Sequence, residues 1–164
     1  MHMLRRLTLF SISLLAAFLL SSCSSGKDVT LAEAQIPRFR QLMAAQKFEV
    51  IYGEAGEDLK QATTQQDLVA LLAAVDRKLG AVKNTEKNGW NVNFHTSGTF
   101  VTLVFKTQFA HGAGDETFVY RISGGKALLV GYHINSNALI TQASVTPTLA
   151  LERTVQQRGD RVSS

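Results

Sequence analysis

The side chains here that suit chemistry are His95, His111 and His133, the acid pairs Glu57-Asp58 and Asp115-Glu116, a glycine-rich run, several aromatics with polar tips, and Cys23. Zinc ligands come in close pairs such as His-x-x-x-His or Cys-x-x-Cys. These histidines stand 16 and 22 positions apart, which reads as solvated surface histidine and no metal site. The run His111-Gly112-Ala113-Gly114-Asp115-Glu116 has glycines that let backbone amides gather round an anion, yet a phosphate loop joins a strand to a helix and closes on Lys-Ser/Thr. This one separates two alternating apolar runs and ends in acids, so it is expected to be a hairpin turn with Asp115 and Glu116 as solvated loop charge. General acid–base catalysis needs a carboxyl in a desolvated cleft, and no Asp or Glu is expected at an inward strand position. Tyr52, Trp90, Tyr120 and Tyr132 are the candidates for lining a pocket, although core packing explains the same residues with fewer assumptions. No cofactor motif is present.

Cys23 differs because its neighbours specify a reaction. Met1 to Arg6 is a positive leader, Leu7 to Leu20 is a mostly apolar run, and small Ser21 and Ser22 precede the cysteine, which is the plan of a secretory signal. The apolar run covers about 14 positions against the roughly 20 that span a bilayer, which favours a cleaved signal over a permanent anchor. Leu20-Ser21-Ser22-Cys23 resembles the lipobox of bacterial lipoproteins. The resemblance implies thioether attachment of a diacylglyceryl group to Cys23, cleavage between Ser22 and Cys23, and acylation of the new amino terminus; the alternative is a plain signal peptide with a chance cysteine. Ser24 rather than Asp after the cysteine implies, by the same resemblance, the periplasmic side of the outer membrane in a double-membraned bacterium. Each buried methylene contributes about 0.8 kcal/mol, so two or three acyl chains hold stably and the folded part needs no membrane-binding face. The expected membrane contact is therefore the lipid on Cys23, followed by a small polar tether over residues 23–28.

The net charge of +4 arises from 17 Lys and Arg against 13 Asp and Glu. Arg5 and Arg6 leave with the signal, so 15 basic residues face 13 acidic ones at a net +2, scattered rather than clustered. That distribution excludes the electrostatic footprint of a nucleic-acid-binding protein. With Cys23 lipidated no thiol remains for a disulfide, so packing alone must stabilise the domain.

The elements follow from a change of period. Thr30-Leu31-Ala32-Glu33 has the form of a capping box, and Ile36, Phe39, Leu42 and Met43 recur at helical spacing, with Pro37 either starting a helix or kinking one. A second helical piece is expected from Phe48 to about Leu59, loosened by Gly53 and Gly56. Leu68, Leu71, Leu72, Val75 and Leu79 form the clearest stripe, between an N-cap at Thr64 and a stop at Gly80. Beyond Gly80 the period becomes two: Trp90, Val92 and Phe94; Val101 to Phe109; Phe118, Tyr120 and Ile122; Leu128 to Ile134. A further strand near Ala81 to Thr85 is possible on this pattern, though polar. The opposite face of the long strand carries Phe100 and Val104, which predicts that a carboxyl-terminal segment or a second subunit covers it.

Helices first and strands afterwards predict an α+β fold, with the helices packed on one face of a curved antiparallel sheet of about four strands. The expected organisation is a signal at 1–22, a tether at 23–28, the domain at 29–135 and a partly ordered or disordered tail at 136–164. On the segment Phe48 to Tyr52, the helix Thr64 to Gly80 and the strand with Gly131-Tyr132-His133-Ile134, the order resembles the nuclear-transport-factor-2-like or cystatin-like lipoproteins of unknown function. That resemblance implies a space between helices and sheet, which in some proteins of this broad fold houses an isomerase or dehydratase site. The sequence favours a non-enzymatic envelope lipoprotein that binds an envelope partner or a small apolar ligand. A small pocket enzyme and a structural lipoprotein that homodimerises through Phe100 and Val104 are the alternatives.

Overall fold

The computed structural model describes residues 24–141; the signal, the lipobox with Cys23 and residues 142–164 lie outside them. The described chain opens with α1 (Ser24–Glu33), α2 (Ile36–Ala44), α3 (Phe48–Glu54), α4 (Glu57–Ala62) and α5 (Gln65–Leu79). α1 departs from expectation in two ways. Residues 24–28, read as tether, already belong to it, and Thr30, read as its cap, lies inside it with its hydroxyl donating to the Gly26 carbonyl at 2.9 Å. Val29 and Ala32 are buried in the core, and tertiary packing of one face outweighs weak local start signals. The chain then breaks at Ala34-Gln35, so Pro37 falls in the first turn of α2, where its missing N–H has no partner to lose.

Gly56 divides the next piece into α3 and α4. Its extended backbone donates to the Leu129 carbonyl at 2.8 Å and ties the helical layer to the sheet. α5 forms as the stripe predicts, with Thr64 Oγ1 accepting from the Asp67 N–H and Gly80, at φ 72°, ending it. Among the described residues no helix is long and apolar enough to cross a membrane.

Strands β1 (Val82–His95), β2 (Gly98–Phe109), β3 (Gly112–Ser123) and β4 (Lys126–Asn135) follow as consecutive hairpins in the order β1-β2-β3-β4. The polar stretch after Ala81 joins β1 as one long strand, with register shifts at Val82/Asn84 and Lys87/Gly89. Gly124 and Gly125, both at positive φ, make the two-residue turn into β4, the backbone that mirror-type hairpin turns require. β3 starts earlier than expected. The turn before it is only Ala110-His111, and Asp115 and Glu116 are strand residues, because the ladder from β2 runs through Phe109↔Gly112 and satisfies the backbone groups along the way.

The fold is therefore α+β, with helices on one face of a curved, open antiparallel sheet. Phe118, fully buried, anchors the core: Phe39 meets it edge-on at 5.0 Å, Tyr132 lies at 5.2 Å and Phe105 at 5.9 Å. Such aromatic pairs add about 0.5–1.5 kcal/mol each beyond the area they bury. The folded region also passes the expected boundary at Asn135. Ser136 is buried and donates to the Ala113 carbonyl at 2.6 Å, and α6 (Asn137–Thr141) rests on α5 and β3, with Lys78 Nζ donating to the Leu139 carbonyl.

Candidate functional site

Glu116 is fully buried, which overturns its reading as solvated loop charge and the expectation that no acid faces inward. On β3 it precedes Phe118, Tyr120 and Ile122 in one alternation, so the pleat turns all four toward the helices. Its direct neighbours across the ladder are Phe105 and Ile134. Two residues along each neighbouring strand, on the same face, stand Thr107 and Tyr132, the diagonal positions from which side chains reach one another. The Tyr132 hydroxyl donates to Oε1 at 2.8 Å, and the Thr107 hydroxyl donates to Oε2.

The charge comes from the helical layer. Arg40 lies in the same helical stripe as Ile36 and Met43, so it faces the sheet, and its guanidinium grips the carboxylate with Nη1 to Oε1 at 2.8 Å and Nη2 to Oε2 at 2.5 Å. The same group sits 5.4 Å from the centre of the Phe118 ring, within cation–π reach. With four donors on two oxygens the carboxylate has no free base function. Burial, and next the Glu116 charge, hold the Tyr132 phenol well above its ordinary range, and burial does the same for Tyr120. Both remain protonated, and Tyr132 stays a donor. Within this cluster Arg40 Nε is buried without a hydrogen-bond partner, as Asp58 Oδ2 and Arg121 Nε are elsewhere among the described residues.

The cluster lies at a groove of about 550 Å³ between α2, the end of α5 and the start of β1. Ile36, Pro37, Met43, Ala44, Val75, Val82 and Phe109 supply most of its wall, Arg40 and Glu116 its charged end, and Asp76 and Thr85 further polar groups. The volume lies in the range of small-molecule sites. A larger hollow, about 710 Å³, opens on the other sheet face among exposed Asn84, Glu86, Lys106, Gln108 and Asp115. Its polar, open wall makes it surface relief rather than a site.

The four aromatic candidates do not meet in one cavity. Tyr132 joins the Glu116 cluster; Tyr120 is buried in the core beside a separate small crevice of about 50 Å³. Tyr52 packs within the helical layer, its hydroxyl 3.4 Å from the Thr63 carbonyl, and Trp90 is 53% exposed on edge strand β1. Side-chain parity places Trp90, Tyr120 and Tyr132 correctly on the inward side of the sheet, but parity cannot say how far the helices reach across it. Phe100 and Val104 lie half-buried on the face away from the helices, Phe100 against the His95 ring. His95, His111 and His133 are exposed, and no group of three metal-ligating side chains converges among the described residues.

Arg40 and Glu116 were legible only as anomalies of pattern. Arg40 is a charge at a stripe position four residues from Ile36 and three from Met43, and Glu116 is an acid two residues before Phe118 in an alternating run. Each is an isolated exception, and together they explain one another. No protein-family model, curated protein or solved structure gives a significant match to this chain.

Proposed function

We propose that the chain is a lipid-anchored envelope protein, held through Cys23 at the periplasmic side of the outer membrane in a double-membraned bacterium, whose domain binds a small, mostly apolar ligand. The groove carries this reading: its walls are apolar, and the one buried carboxylate among the described residues is saturated by donors. In such a site Glu116 serves as a fixed, fully hydrogen-bonded charge rather than as a base poised to move a proton. The helices-then-sheet order with a groove between the layers supports the resemblance to nuclear-transport-factor-2-like or cystatin-like lipoproteins.

Residues 24–164, which carry every core residue described above, are the reagent for the binding test. N-phenyl-1-naphthylamine should brighten on mixing, and Ala44→Trp, which fills the groove from an exposed position, should weaken it at least tenfold with the melting temperature unchanged. Equal binding by that variant would refute the groove as the site. For the anchor, Cys23→Ser in the full chain should leave uncleaved precursor and no acyl labelling; normal processing in that variant would sink it.

A further inference from the structure

The two edges of the sheet are treated differently. β4 is covered: Gly56 donates to the Leu129 carbonyl, and α4 packs alongside. β1 has no backbone partner on its outer side among the described residues, and nearly all of its 14 residues are exposed. Exposed edges are normally blunted by charge, proline or a covering element. The first half of β1 has Lys83, Glu86 and Lys87, with Lys87 held to Glu33 at 2.6 Å, whereas residues 88–96 contain no Lys, Arg, Asp, Glu or Pro. Within that bare stretch stands Trp90-Asn91-Val92-Asn93-Phe94, a pattern that reads the same in both directions about Val92. Trp90 pairs with Leu103 and Val92 with Val101, so the apolar members face the helical side of the sheet, yet Trp90 and Phe94 are 53% and 64% exposed.

We infer that β1 is a self-association edge: two copies of this chain pair antiparallel through residues 88–96 about a two-fold axis at Val92. This register sets Trp90 against Phe94 of the second copy, Val92 against Val92 and Asn91 against Asn93, so every apolar side chain meets an apolar one on one face. Shifting the axis by half a residue sets Trp90 against Asn93, and a whole residue toward Asn91 leaves Phe94 against Asn88. In the Val92 register Lys87 opposes Ser97, so no like charges meet. Both helical layers then lie on the same side of an eight-stranded sheet, where together they flank the aromatic stripe that one layer leaves bare. Fully buried aromatics cover about 150–250 Å² each, so the half-exposed rings and short ladder total less than about 1,200 Å², the size of weak, exchanging complexes. The dimer is accordingly expected to exchange and to dissociate on dilution. This inference is independent of the groove reading.

The test uses the full chain expressed in bacterial cells. Val92→Cys should give a dimer with a short bismaleimide above the background of the unaltered chain, whose one cysteine is Cys23, while Val104→Cys on the other face should not. A Val104→Cys dimer without a Val92→Cys dimer overturns the edge. Charge pairing gives a second reading in the purified full chain by sedimentation. Trp90→Glu/Phe94→Glu and Trp90→Lys/Phe94→Lys should each be monomeric, with at least tenfold weaker association, and dimerise only when mixed, with circular dichroism unchanged. A mixture that stays monomeric, or single variants that associate like the unaltered chain, also overturns it.

Discussion

Phe118-x-Tyr120-x-Ile122 on β3 and Trp90-x-Val92-x-Phe94 on β1 are the same sequence pattern with opposite fates. The first is buried, from 0% to 8% exposed, and the second leaves both aromatics more than half exposed. β3 has a strand on each side and α1 and α2 above it; β1 has β2 on one side and, among the described residues, no strand beyond it. Alternation thus specifies which way side chains point, and coverage by a second layer decides whether pointing inward removes them from water. The covered region holds the ionic cluster and the groove, and the bare one leaves an exposed strand edge.

Removing the covered ring should have the largest effect. Phe118→Ala should lower stability by about 3–5 kcal/mol in denaturant titration, the range for buried aromatic truncation; a change below 1 kcal/mol would show that β3 is no better covered than β1. Arg40→Ala should cost about 3–5 kcal/mol by leaving the Glu116 carboxylate buried and unpaired, and Arg40→Met with Glu116→Leu should regain much of that loss, because the pair must be desolvated whereas apolar replacements need not be. A double variant as unstable as Arg40→Ala would contradict this account. Tyr132→Phe removes one donor of four and should cost about 1–2 kcal/mol.

Alkali separates the same regions. A folded-state phenol pKa raised above the unfolded value of about 10 means that the folded chain keeps a proton the unfolded chain releases, so this stability is complete below about pH 10 and falls as pH rises beyond it. Absorbance at 295 nm should show Tyr120 and Tyr132 ionising only as circular dichroism reports unfolding; full ionisation of all three tyrosines in a folded chain would contradict it. Phe94→Ala should change stability of the dilute monomer by no more than about 0.5 kcal/mol, as expected for exposed positions.

From the chain alone come the order of helices before strands, the long helix between Thr64 and Gly80, the hairpin at Gly124-Gly125 and the inward parity of each strand. These are local properties: a period, a cap and a turn chemistry act within a few residues of one another. The tertiary structure decided that Ser24 to Asp28 is helix, that β3 begins at Gly112, that Glu116 is buried, and that Trp90 is not. Each depends on a partner distant in sequence: the core behind Val29 and Ala32, the length of β2, the guanidinium of Arg40 and the reach of the helical layer. A lone Arg in an apolar stripe and a lone Glu at the head of an apolar strand each look like exceptions. Only in three dimensions do the two satisfy one another across 76 residues of chain.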